Sequence, residues 1–213
     1  MMSVQNSILV FSFGGVASKR FLLGVSPGKS LDEIRPSHSH MRMPPKTIDV
    51  KSKVVYLFGD PMNAVISFFN RRNYLHSRHG YASQSMRESR KDWAYQHCRK
   101  IQGDCSRFSA EWDLEDFLSH GEDLFKLEEH FDNWVNANVD YPILTIRYET
   151  LWNYLPEIFD YLQLPQSEIK NFPSNKKRSS NWQEEPEHVQ QKLLKIYGKL
   201  HEKITRHEDV KII

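Results

Sequence analysis

The stretch whose reading decides the fold is ILVFSFGGVASKRFLLG, residues 8–24. An apolar, β-branched run enters two glycines, passes through Ser-Lys-Arg and turns apolar again. This is the pattern of a strand that ends in a tight turn and hands over to a helix. Such a turn presents backbone N–H groups at the positive end of a helix dipole, and phosphate is their natural guest. Gly15, Val16, Ala17, Ser18, Lys19 and Arg20 form the candidate anion cradle. The frame departs from G-x-x-x-x-G-K-[ST], because Phe13 and Ser18 stand at the two glycines and Arg20 replaces the hydroxyl that binds magnesium. Lys19 keeps the place of the lysine. ATPases and GTPases need that hydroxyl, so a phosphate loop that works without a metal fits better.

Working outward, KVVYLFG (residues 53–59) and PILTIRYE (residues 142–149) share the character of SILVFSF (residues 7–13) and read as strands buried on both faces. Helical patterns follow them. In DPMNAVISFFNRRNYL, Asp60 is placed as N-cap and Pro61 at the first helical position. In ETLWNYLPEIFDYLQLP, Leu151, Tyr154, Leu155, Ile158, Phe159 and Leu162 share a face, and Pro156 is where the helix can divide. Residues 30–50 are proline-rich and are predicted irregular, with a short strand near 35–40. Residues 83–138 read as helical without a strand, and residues 185–205 as one polar amphipathic helix. Strands alternating with helices predict a three-layer α/β/α architecture with a mainly parallel central sheet, in a single domain over residues 1–213.

Composition narrows the function. An apolar share of 39% with 12% aromatics argues against disorder. A formal charge of +2 is too small for strong steering towards nucleic acid or an anionic membrane, so a basic site must be local. No apolar run approaches the roughly 20 residues of a membrane span, and no signal-peptide pattern opens the chain. Cys98 and Cys105, in CRKIQGDC, match neither a CxxC redox motif nor a zinc knuckle; they are predicted to be reduced thiols in a cytoplasmic protein.

Taken in order, these segments resemble the P-loop sulfotransferases, which use 3'-phosphoadenosine 5'-phosphosulfate and no metal. Pro61 and Ser67 match the proline and serine of that family's 3'-phosphate segment, whereas Gly59 stands at its arginine and Asn63 at its aspartate. Arg71 or Arg72, one turn beyond Ser67, can supply the missing guanidinium. The late strand resembles the R-Y-E-D-L signature with Thr150 in place of the aspartate, which implies that Tyr148 lies near the adenine. SNKKRSSNW (residues 174–182) falls where the family carries a basic loop, and implies that Lys176, Lys177 and Arg178 close over the 3'-phosphate.

The resemblance further implies a histidine base shortly after the second strand, for which RPSHSHMRMPP offers His40 and His38. An imidazole suits removal of an alcohol's proton. Lys19 is expected to steady the bridging oxygen of the phosphosulfate, although the family's lysine lies nearer the position of Gly15. The implied acceptor is a small molecule or a glycan. Residues 76–104, polar and basic with Tyr81, Trp93 and Tyr95 interspersed, suit a carbohydrate better than a steroid. Two rivals stand beside this reading. One is a nucleotide or small-molecule kinase, for which Ser18 and Asp60 would hold the metal; the other is a non-catalytic nucleotide-binding module.

Overall fold

The computed structural model of the protein describes residues 7–78, 92–176 and 178–213. Its strands are β1 Ile8–Ser12, β2 His38–Ser39, β3 Lys53–Phe58, β4 Ile143–Arg147 and β5 Val210–Ile212. Its helices are α1 Ser18–Val25, α2 Leu31–Ile34, α3 Pro61–Arg78, α4 Trp93–Lys100, α5 Leu114–Ser119, α6 Leu127–Val135, α7 Leu155–Tyr161 and α8 Glu187–Arg206. Of the described residues, those up to Gly59, 130–176 and 207–213 form one compact unit, and those within 60–129 and 177–206 form a second.

The first unit is built on one sheet in the order β2-β1-β3-β4-β5. The pairs β1·β2, β1·β3 and β3·β4 are parallel, and β5 runs antiparallel to β4. The apolar runs at residues 8–12, 53–58 and 143–147 form strands as predicted, because their β-branched and aromatic side chains fill both faces; residues 54–58 are fully buried. The pattern predicts no strand after the last helix, yet β5 pairs Leu144 with Ile212 and Ile146 with Val210. It is three residues long and carries Lys211 in its centre, which is how a short charged edge reads. An ion pair between Arg147 and Asp209, and an Arg147 N–H donated to the Asp209 carbonyl at 2.7 Å, fix its approach.

The pleat sorts the core into two sides. Phe11 and Tyr56 sit opposite each other in register, and both meet Trp134 of α6, whose ring centroid lies 4.6 Å from Phe11 and 5.0 Å from Tyr56 with the latter pair within 5° of parallel. Ser12 points to the other side, where its hydroxyl meets that of Ser18 at the start of α1. There Phe172 contacts both Phe21 of α1 and Phe159 of α7 edge to face, each at 6.1 Å. Pro156 does divide the helical pattern: a 3₁₀ turn, Leu151–Tyr154, precedes α7, with the proline in its first turn.

The second unit is helical. Phe68 of α3 packs on His97 at 4.1 Å and on Phe125 at 4.8 Å, and Phe117 reaches Phe125 at 4.9 Å. The amphipathic α8 buries Val189, Leu193, Tyr197, Leu200 and Ile204, one residue every three or four. Cys98 and Cys105 are free thiols whose sulfurs lie 3.5 Å apart, and burial pushes the Cys98 thiol well up.

Gly24 tests the packing of the first unit. A Cβ there would lie 2.3 Å from Phe172 and 2.8 Å from Pro173. Gly→Ala inside a helix ordinarily gains about 1 kcal/mol, whereas overpacking costs about 1–3 kcal/mol. Gly24→Ala is therefore expected to lower stability, measured by urea unfolding; a gain would show that Phe172 yields freely.

Candidate functional site

The glycine turn leaves β1 at the carboxyl end of the sheet, where β1 has β2 on one side and β3 on the other. Connections depart there in opposite directions, the place where open α/β sheets bind ligands. Gly14 and Gly15 have φ of 94° and 67°, and Ala17 has φ of 50°. These left-handed residues turn the chain sharply between β1 and α1, and the Gly14 N–H is donated back to the Ser12 hydroxyl at 3.3 Å. Ala17 precedes α1 without a side-chain cap, and its carbonyl accepts from the N–H groups of Arg20 at 2.8 Å and Phe21 at 3.1 Å.

Hydrogen bonds to Ser12 of β1, to Trp134 and to Tyr141 hold the histidine segment in place. His40 Nδ1 lies 2.7 Å from the Ser12 carbonyl, and since a carbonyl only accepts, Nδ1 carries the proton. His38 Nε2 lies 3.3 Å from Ser12 Oγ, and the two imidazoles meet edge to face at 4.4 Å. Further along, Trp134 Nε1 donates to the Met41 carbonyl at 2.9 Å, and Tyr141 donates to the Pro45 carbonyl at 2.5 Å. Beneath the segment, His130 is fully buried, with Nδ1 at 3.2 Å from the Tyr56 hydroxyl. Burial pushes its imidazole down to about 3, against the opposing pull of the His40 backbone.

Gly59 follows β3 beside the same loop. A Cβ there would meet the Glu149 carboxylate at 2.9 Å and Val16 at 3.0 Å, so the absent family arginine has its place taken by the approach of Glu149 and the loop. Glu149 is exposed, and solvent screens its charge. Tyr148 is buried, with its N–H donated to the Phe58 carbonyl at 2.8 Å and its ring edge to face with Trp152 at 5.4 Å. Arg20 reaches the Ser174 carbonyl, and Trp152 Nε1 donates to the Pro173 carbonyl at 2.8 Å, which together fasten the start of the basic segment. Lys19 and Lys176 are exposed.

In the second unit, Asp60 caps α3 as predicted, with Oδ1 accepting from the Asn63 N–H at 2.9 Å. Its Oδ2 accepts from Trp182 Nε1 at 3.2 Å and lies 3.2 Å from His201 Nδ1. Asn63 Oδ1 in turn accepts the Trp182 backbone N–H at 2.8 Å. An amide oxygen accepts that bond as a carboxylate would, which is why asparagine can stand at the family's aspartate. Ser67 is half-buried on α3, and Arg178 is half-buried within the basic segment. The side chains of Arg71 and Arg72, the residue Lys177 and most of residues 76–91 lie outside what the structure describes. Trp93 lies under the Lys100 ammonium, 5.1 Å from its ring centroid, and Tyr95 meets Phe108 at 6.0 Å.

Within the first unit the structure thus brings together Gly15, Val16, Ala17, Ser18, His38 and His40. Sequence reasoning missed Ser12, Glu149, Trp134 and Tyr141. Among the described residues, no group of three or more His, Cys, Asp or Glu is placed to hold a metal ion, and no helix is long and apolar enough to cross a membrane. The sulfotransferase domain family model matches residues 19–208, and the chain belongs to that family. The fold is accordingly the P-loop sulfotransferase architecture, and the activity class is sulfuryl transfer. No curated protein and no solved structure matches the chain.

Two outcomes follow from this geometry. Asn63→Ala removes the acceptor of a partly buried N–H and is expected to cost about 1–2 kcal/mol, whereas Asn63→Asp keeps an acceptor and costs less; equal losses in thermal unfolding would refute that account. His130 has a native pKa of about 3 against an ordinary 6.5, so the unfolded chain binds a proton there that the native chain does not. Stability should fall as pH falls through that window, by up to about 1.4 kcal/mol per pH unit, and His130→Gln should flatten the slope measured by urea titrations.

Proposed function

We propose that the protein transfers a sulfuryl group from 3'-phosphoadenosine 5'-phosphosulfate to an acceptor hydroxyl, with His40 as the base. The observation that carries the reading is the 2.7 Å bond from His40 Nδ1 to the carbonyl of Ser12, the last strand residue before the phosphate loop. That bond fixes the tautomer, so a neutral His40 has its lone pair on Nε2, the atom that takes the acceptor's proton. His38, which the sequence offers equally, directs Nε2 at Ser12 Oγ instead.

The loop of residues 15–20 is assigned the 5'-phosphate through backbone N–H groups and the Ser18 hydroxyl, the Arg20 N–H being donated to the Ala17 carbonyl. Bound there, the donor supplies a sulfuryl group whose bond to the phosphate breaks as its bond to the acceptor oxygen forms, leaving the electron pair on the phosphate. Lys19, in the first turn of α1, holds that growing charge. Tyr148 is assigned to the adenine. Ser67, Arg71, Lys176, Lys177 and Arg178 are assigned to the 3'-phosphate. We take a carbohydrate as the acceptor, on the polar and aromatic composition of residues 76–104, and the cytoplasm as the location.

A kinase would need a metal-binding hydroxyl or carboxylate near the phosphates, for which Ser18 and Asp60 are the candidates. Both Asp60 oxygens already serve Asn63, Trp182 and His201 as partners, which favours a structural cap.

Calorimetry with 3'-phosphoadenosine 5'-phosphate in the absence of magnesium is expected to show micromolar or tighter binding, with ATP and magnesium silent. Binding of ATP alone would move the reading to a kinase. In an acceptor screen begun with glycans, His40→Ala should keep nucleotide binding and lose about 10²–10⁴-fold in turnover. If His38→Ala carries that loss and His40→Ala does not, the base assignment is wrong.

A further inference from the structure

Ser12 touches both candidate histidines and the phosphate loop, and it is fully buried. Its carbonyl accepts from His40 Nδ1. Its hydroxyl accepts the Gly14 N–H at 3.3 Å, lies 3.3 Å from His38 Nε2 and lies 3.2 Å from Ser18 Oγ. A hydroxyl gives one proton and accepts two bonds, so these three partners use it completely. Gly14 can only donate. The Ser12 proton therefore goes either to His38 or to Ser18, and the choice fixes the direction of the whole chain.

If Ser12 donates to His38, Ser18 must donate to Ser12, and the single Ser18 proton is spent inside the protein. If Ser12 donates to Ser18, His38 Nε2–H must donate to Ser12, and the Ser18 proton is directed outward from the start of α1. A phosphate oxygen only accepts, so an anion held by the Ser18 hydroxyl is compatible with the second arrangement alone.

We propose that anion binding at the phosphate loop sets the tautomer of His38 through Ser12, the proton on Nε2 coming from its own Nδ1 by exchange with solvent, so that donor occupancy and the state of the histidine pair are one equilibrium. This rests on the reading that the loop holds the donor's 5'-phosphate. Ser12 is then a positioning residue that acts through its neighbours. With the loop filled, His38 carries a proton on Nε2 and His40 a proton on Nδ1. The two histidines take different roles because one residue meets one of them with its carbonyl and the other with its hydroxyl.

The test is imidazole nitrogen NMR on the ¹⁵N-labelled full chain, titrated with 3'-phosphoadenosine 5'-phosphate without magnesium, with His38→Gln used to assign the His38 signals. In the bound state His38 Nε2 should fall in the protonated-nitrogen range and show a directly bonded proton. Ser12→Ala should still bind the nucleotide and lose that requirement, and Ser12→Thr, which keeps a hydroxyl, should restore it. Should Ser12→Ala fail to fold, Ser18→Ala removes the same link from the other end and should also uncouple His38. Nucleotide that shifts the amide signals of residues 14–20 while His38 Nε2 stays unprotonated overturns the inference and leaves the donor site standing. An unchanged His38 response in Ser12→Ala or Ser18→Ala overturns it equally. Loop amides that do not respond at all overturn the donor site, and the inference with it.

Discussion

The constraint on which the first unit turns is the position of β1 inside the sheet, paired in parallel on both edges. Val10 is opposite His38 on one side and Val55 on the other, so β1 can give up neither neighbour without breaking the sheet. Parallel neighbours require the chain to leave and return by crossovers, and those from β1 and β3 diverge. The chain leaving β1 must therefore turn sharply at an edge that lies open between diverging connections. Gly14, Gly15 and Ala17 supply the left-handed backbone for that turn. The same pairing sets His38 beside Val10, two residues before Ser12, which places the histidine segment next to the loop before any side-chain contact is considered.

What the pairing starts, aromatic packing finishes. The histidine segment is irregular and proline-rich, and chain of that kind fixes its shape only where its carbonyls find donors. Trp134 and Tyr141 are those donors, and Trp134 is itself held by its stack on Tyr56 and its contact with Phe11. An aromatic pair of this kind contributes about 0.5–1.5 kcal/mol beyond its buried area. The position of the candidate base thus depends on an indole from a helix about a hundred residues later in the chain.

This explains which parts were legible in sequence. The strands at residues 53–58 and 143–147 could be read because burial on both faces leaves a continuous apolar run, and the start of α3 because Asp60 and Pro61 act within one turn. The glycine turn was legible for the same local reason. β5 was not, since three residues with a central lysine carry no periodicity and owe their pairing to β4 and to Asp209. Ser12 was invisible as a hub because its partner His38 lies 26 residues away and the contact exists only once β1 and β2 pair. The histidine segment was correctly read as irregular, but nothing local to it announces Trp134 or Tyr141. Sequence named His38 and His40 as a pair; only the geometry at Ser12 gives them different surroundings.

The departures from the family pattern follow the same physics. A motif position is held to its residue type by what that side chain must do, and a substitute persists where it does the same thing or where a neighbour has moved into the space. Asn63 is the first case, because the bond it makes to the Trp182 N–H needs an acceptor oxygen and no charge. Gly59 is the second, because Glu149 and Val16 approach so closely that any side chain there would displace one of them. The Glu149 carboxylate is the exposed end of a flexible side chain and can swing aside, so a side chain at residue 59 is opposed mainly by Val16, which is fully buried.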